Sequence, residues 1–269
     1  MHSMNQIIKL WQPGGKPFPD AVDASKSEYC MDDDDSGIIR ITQVSDPEIV
    51  YFPAAGAGKK PAVLVAPGGA YEILAWNHEG SDICGMLNGS GFSAFLLKYR
   101  CPGCRDAAFA DAARAIRLIR LHADELKVDA GRLGMMGFSA GGHLTAMCCA
   151  SAKTEPYPEA DEADRLGFRP DFAALIYPAY LTGENLVLNP EFKVTGSVPP
   201  TFLVQAGDDV INVENSLAWY QAVRRAGGSA EMHIYPEGGH GYGLLRTGYP
   251  ISGWGLLACD WMRRTVGLK

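Results

Sequence analysis

The sequence Gly137-Phe138-Ser139-Ala140-Gly141 places a serine between glycines two positions to either side. The apolar run at 132–136 before it reads as a strand, and 140–151 after it reads as a helix. A serine on a sharp strand-to-helix turn presents its Oγ above the end of a sheet, and the neighbours must be small for the turn to close. The N-terminus of the following helix favours negative charge developing there. This is the arrangement for nucleophilic acyl transfer, with Ser139 as the nucleophile. A serine hydroxyl is a weak nucleophile until a base takes its proton.

Where such a serine occurs, an acid and then a histidine follow it along the chain. Two histidines come after His143, namely His233 and His240. His233 falls inside an apolar stretch that reads as a strand, and His143 lies one helical turn past the serine. Both read as structural. His240 lies in the glycine-rich loop Pro236-Glu237-Gly238-Gly239-His240-Gly241-Tyr242-Gly243, where the backbone is free to carry an imidazole over the sheet. His240 is therefore the expected base. The expected acid comes from Ala206-Gly207-Asp208-Asp209, just past the strand at 201–205. Asp208 is taken as that acid with Asp209 as the alternative, the other carboxylate bonding within the turn or capping the next helix. Acyl transfer also needs backbone N–H groups aimed at an oxyanion. The turn Pro67-Gly68-Gly69-Ala70-Tyr71 after the strand at 62–65 supplies them, so the expected donors are the N–H groups of Gly69, Ala70 and Ala140. Tyr71, Trp76 and Tyr242 flank these segments and are candidates either to stack on a sugar or acyl group or to pack in the core. This chemistry requires no metal and no organic cofactor.

The elements that must position these groups follow from hydrophobic period. Residues 38–44 and 48–52 read as two strands joined at Ser45-Asp46-Pro47, forming an antiparallel edge. From residue 61 onward strands at 62–65, 92–98, 132–136, 172–177, 201–205 and 230–235 alternate with helices at 77–90, 106–126, 140–151, 213–226 and 252–266. Asn77 is the expected N-cap of the first helix. Short continuous apolar strands are those buried on both faces. The alternation predicts an α/β fold with a mostly parallel sheet of about eight strands and helices on both faces. No linker or composition shift divides residues 1–269, which read as one domain with an irregular N-terminal wrap over 1–36. The acidic run Asp32–Asp35 reads as a solvated loop without the alternating ligands of an EF-hand.

The chain carries a net charge of −7 and 47% hydrophobic residues, which favours a packed core and disfavours a nucleic-acid surface. Its apolar runs are too short to span a bilayer. The seven cysteines are odd in number and two are adjacent, Cys148 and Cys149, so a disulfide framework is not expected. Cys101-Pro-Gly-Cys104 has redox or zinc spacing but no second pair beside it. Met1–Asn5 shows no basic region or apolar stretch of a secretory signal. The expected location of the chain as given is cytoplasmic, with secretion or a periplasmic location left open if a signal has been removed. Nothing in the pattern speaks to oligomeric state.

Pro67-Gly-Gly-Ala-Tyr71, His78-Glu79-Gly80, Gly137-Phe-Ser-Ala-Gly-Gly-His143, Pro199-Pro-Thr-Phe-Leu-Val204, Asp208-Asp209 with Val213-Glu-Asn-Ser216, and Glu237-Gly-Gly-His-Gly241 occur in that order. Together they resemble the α/β-hydrolase superfamily. More narrowly, they resemble bacterial acetyl-xylan-esterase-like and feruloyl-esterase-like carbohydrate esterases related to the hormone-sensitive-lipase-like group. The resemblance extends over nearly the whole chain. It implies hydrolysis of a small-molecule or oligosaccharide ester through Ser139, Asp208 and His240. Removal of acetyl groups from xylan or xylo-oligosaccharides leads, with feruloyl esters or general short-chain esters as the alternative. Two departures stand out. Ala70 replaces the third glycine common in relatives, and the segment at 179–198 is too short for a large cap, which implies an open cleft. Oligopeptidases share such a triad but usually carry a gating domain, and non-catalytic binding proteins of this fold commonly lose a triad member. Both are weaker readings of this chain.

Overall fold

The computed structural model describes residues 6–31 and 36–268. The readings made on Met1–Asn5 and Asp32–Asp35 lie outside the described residues.

Eleven strands and five α-helices are found among the described residues. In chain order the first strands are β1 (Gln6–Lys9), β2 (Tyr29–Met31), β3 (Arg40–Thr42), β4 (Glu48–Phe52), β5 (Lys60–Ala66) and β6 (Leu74–Ala75). After a π-helical turn at Asn77–Ser81 come α1 (Asp82–Gly89), β7 (Ser93–Lys98), α2 (Arg105–Leu121), β8 (Val128–Phe138) and α3 (Ala140–Ala150). The chain continues through β9 (Phe172–Ile176), β10 (Thr201–Ala206), α4 (Glu214–Arg225), β11 (Ala230–Tyr235) and α5 (Trp254–Thr265). Eight strands form the central sheet in the order β1-β4-β7-β5-β8-β9-β10-β11. All pairs from β7 to β11 are parallel, and β1 and β4 add an antiparallel flank.

Side chains alternate across the sheet, and both faces are buried. Ala62, Leu64 and Ala66 of β5 point into one apolar cluster, which α2, α3 and α4 cover. Val63 and Val65 point into the other, beneath α1 and α5. This explains why β5 reads as an unbroken apolar run rather than an alternating one. The parallel strands all end on one side, so the loops after β5, β8, β10 and β11 gather at one rim, where ligands bind in open sheets of this kind.

The antiparallel flank differs from the expectation. The stretch at 38–44 is not the partner of 48–52. Its middle, β3, pairs with β2 and β6 in a separate three-stranded sheet. Gln43 adopts a positive φ of 57° and breaks the extended run, while both edges of β4 are filled by β1 and β7. Within the expected irregular wrap at 1–36, the described residues carry two strands, β1 and β2. Asn77 caps no helix. Its Oδ1 accepts the Ile39 N–H at 2.9 Å and its Nδ2 donates to Gly37 O at 2.7 Å, so it ties down the small sheet. The 179–198 segment holds one short 3-10 turn and no longer helix, and it is tied along α3 and α4.

A buried ion pair anchors the N-terminal stretch. Arg100, just past β7, donates to both oxygens of Asp111 on α2, and the Trp11 indole N–H donates to the same carboxylate at 2.7 Å. Arg100 and Asp111 are fully enclosed. Removing one partner leaves an uncompensated buried charge. Asp111→Ala is expected to lower the unfolding free energy by about 3–5 kcal/mol, read from the urea midpoint at unchanged slope.

Candidate active site

Ser139 sits between β8 and α3 with φ 51° and ψ −114°, a backbone conformation that a residue bearing Cβ adopts only under constraint. Crowding around it explains the neighbouring glycines. A Cβ on Gly137 would lie 2.0 Å from Gly141 O, and one on Gly141 would lie 2.1 Å from Ala66 O at the end of β5. The Ser139 N–H donates to Ile176 O at 3.0 Å, and Ser139 O accepts from His143 N and Ala179 N. The turn is thus held by the strands on both of its sides.

The imidazole of His240 reaches this turn from the loop after β11. Its Nε2 lies 2.9 Å from Ser139 Oγ, and its Nδ1 lies 2.9 Å from Asp209 Oδ2. Asp209 has no exposed side-chain surface, whereas the imidazole keeps 24% of its own. The carboxylate also takes the Ile211 N–H on Oδ1 at 2.7 Å and the Gln205 side-chain N–H on Oδ2 at 3.2 Å. Ser216 Oγ donates to Gln205 Oε1 at 2.6 Å and fixes which way that amide faces. A carboxylate accepts only, so Nδ1 carries the imidazole proton and Nε2 is left to accept from the Ser139 hydroxyl. This arrangement lets the histidine take the serine proton, with a buried anion to stabilise the imidazolium.

Of the two adjacent acids, the structure brings Asp209 to His240, and not Asp208. Asp208 is exposed and its Oδ1 accepts the Gly239 N–H at 2.8 Å, which shapes the histidine loop from outside. The physical reason is the turn that follows β10. It points Asp209 inward, where the Ile211 N–H and the Gln205 amide are waiting, and leaves Asp208 on the solvent side.

The turn after β5 lies against Ser139, since a Cβ on Gly68 would come within 2.9 Å of Ser139 Cβ. Among the described residues, the N–H groups of Gly69, Ala70 and Ala140 donate to no protein acceptor. They are free for an external oxygen, and the Ala140 N–H is one of the unpaired donors that open α3. Ala70 and Tyr71 adopt successive positive φ values of 57° and 65°, so this loop is strained as well.

The three aromatic candidates are placed differently. Tyr71 is buried, and its hydroxyl lies 2.6 Å from His143 Nδ1. Tyr242 is also buried and packs edge-on against Tyr177. Neither ring is offered to a sugar. Trp76 is half-buried and packs against both apolar clusters. His143 is a connecting residue, since its Nε2 meets Glu191 Oε1 at 2.8 Å. That hydrogen bond holds the Glu191 carboxyl below its usual range, and burial pushes the His143 imidazole down. The neutral ring therefore donates to Glu191 and accepts from the Tyr71 hydroxyl, linking α3 to the loop after β5. Of the cysteine pair, Cys101 is buried, which pushes its thiol up to about 12, and both thiols are free. No local sequence pattern marks Gln205 or Glu191 as site residues, and Glu79 is marked only as part of the His78-Glu79-Gly80 motif.

The family described as BD-FAE matches residues 49–166. An acetyl ester-xyloside bifunctional hydrolase from Caldicellulosiruptor lactoaceticus superposes with a TM-score of 0.79 at 30% identity, over 98% of this chain and 97% of that one. The chain belongs to the α/β-hydrolase superfamily. Two sequence relatives of this α/β-hydrolase are an acetylxylan esterase of Xylanibacter ruminicola, 29% identical over 73% of this chain, and endo-1,4-beta-xylanase B of Butyrivibrio fibrisolvens, 30% identical over 73%. The chain spans 43% and 34% of those two proteins' lengths.

The two acids of this α/β-hydrolase are separable by experiment. Asp209→Asn is expected to slow labelling of Ser139 by a fluorophosphonate on the order of 10³-fold, because the amide favours the wrong imidazole tautomer. Asp208→Asn keeps an acceptor for Gly239 and is expected to slow it less than about tenfold. Mass spectrometry of the labelled peptide against time reads both.

Proposed function

We propose that this α/β-hydrolase is a serine carboxylic-ester hydrolase that removes acetyl groups from xylan or xylo-oligosaccharides, with Ser139, His240 and Asp209 as its triad. The observation that carries the reading is the imidazole of His240 standing 2.9 Å from both Ser139 Oγ and the enclosed carboxylate of Asp209. His240 takes the serine proton as Oγ attacks the ester carbonyl. The N–H groups of Gly69, Ala70 and Ala140 receive the oxyanion. The tetrahedral intermediate collapses as His240 gives its proton to the departing alcohol, leaving an acyl-enzyme. Water then attacks that ester with the same base, and acetate leaves as Ser139 regains its proton. The names of the relatives, an acetylxylan esterase and an acetyl ester-xyloside hydrolase, support acetyl as the acyl group and a xylose-based alcohol. The short 179–198 segment supports a cleft open enough for an oligosaccharide.

Two experiments test this. Ser139→Ala is expected to cut turnover of 4-nitrophenyl acetate by about 10⁶-fold while the melting temperature holds, and retained turnover would falsify the assignment. Acetylated xylo-oligosaccharide is expected to exceed methyl ferulate and longer 4-nitrophenyl esters in kcat/KM. A preference for the ferulate or for a longer chain would reassign the acyl group.

A further inference from the structure

The chemistry above leaves unused an enclosed carboxylate that borders the nucleophile turn. Glu79 is 3% exposed and lies directly behind the nucleophile turn, on the π-helical turn that precedes α1. Its Oε2 accepts the Gly68 N–H at 2.7 Å, and its Oε1 accepts the Tyr177 hydroxyl at 2.8 Å. The Tyr177 oxygen in turn accepts the Gly243 N–H at 3.0 Å. Burial pushes the Tyr177 phenol up, so it remains a donor. The adjacent His78 has its Nε2 at 3.2 Å from Gly241 O and 3.7 Å from Glu79 Oε1, a second tie to the same loop.

One carboxylate therefore joins the loop after β5, the residue after β9 and the loop after β11. The first carries the expected oxyanion donors and the last carries His240. The Tyr177 ring also stands edge-on to the His240 imidazole at 5.0 Å. Burying a carboxylate is costly unless donors face both oxygens, and an apolar side chain would fill this space more cheaply. The Glu79 charge also opposes a nearby oxyanion rather than assisting it. What the carboxylate supplies is acceptor geometry. With the Gly68 N–H held to the rear, the next two N–H groups in the loop stay free.

We infer that Glu79 is a positioning residue that sets the oxyanion loop and the His240 loop relative to Ser139, by taking the Gly68 N–H directly and the Gly243 N–H through Tyr177. The inference rests on the acyl-transfer reading above. Its effect belongs in the transition state, because displaced N–H groups serve the oxyanion less well while the ground-state ester is bound as before.

Glu79→Gln removes the charge at nearly constant shape and sets an amide N–H against a donor. It is expected to lower kcat for 4-nitrophenyl acetate by about 10- to 100-fold per titrated serine, with KM changed less than about threefold. The affinity for phenylboronic acid, which forms a tetrahedral adduct on serine, is expected to fall by the same factor as kcat/KM. Tyr177→Phe keeps the ring against His240 and is expected to lower kcat in the same way. The double variant should lose less than the product of the two single losses, since both cut one chain of contacts. Should Glu79→Gln not fold, Tyr177→Phe carries the test. Turnover that is unchanged or faster, or a change confined to KM or to the melting temperature, overturns the inference. Failure of the underlying reading is distinguishable, because only then does Ser139→Ala keep its activity.

Discussion

The backbone at Ser139 is the constraint on which the site depends. A residue with φ 51° and ψ −114° persists only where its surroundings leave no alternative. Here β5, β8 and α3 meet so closely that Gly137 and Gly141 have no room for a methyl group. The same crowding brings the loop after β5 against the serine, beside the unpaired N–H groups that open α3. The strain is offset by the sheet, whose two apolar faces are buried over Pro61–Ala66 of β5 and Leu133–Phe138 of β8.

The histidine is governed by a different balance. Asp209 is enclosed and would be costly there without donors, and three groups face it: the Ile211 N–H, the Gln205 amide and His240 Nδ1. Two of these are fixed by β10 and the turn behind it, so the third direction is the only one left to the imidazole. Each partner restricts the next, from Ser216 to Gln205 to Asp209 to His240.

This division explains what was legible in the sequence. Ser139 and His240 could be placed because their signals are local: a strand, a small-residue turn and a helix for one, a glycine-rich loop past the last strand for the other. The parallel strands from 62 onward were legible for the same reason, as runs of apolar residues with turns between them. The choice between Asp208 and Asp209 was not, because adjacent residues in a turn differ only in the direction their side chains take. That direction is set by Gln205 and Ile211, whose part in it has no pattern of its own. The strand at 38–44 misled for a related cause. A strand does form there, but only over Arg40–Thr42 and without the expected alternation, because Gln43 turns the chain and Gln6–Lys9 takes the edge of β4.

The two histidines near the serine show how environment divides one residue type into two roles. His143 is enclosed, lies between Glu191 and Tyr71, and has both ring nitrogens engaged by groups that do not react. Burial favours its neutral form, so it serves as a fixed link between α3 and the loop after β5. His240 has one nitrogen on an enclosed anion, the other on a hydroxyl, and part of its ring open to solvent. The Asp209 carboxylate stands where it would stabilise a proton on His240, and the open part of that ring faces solvent. The buried ring holds the geometry and the half-open one can move the proton, although the sequence places His143 nearer to Ser139.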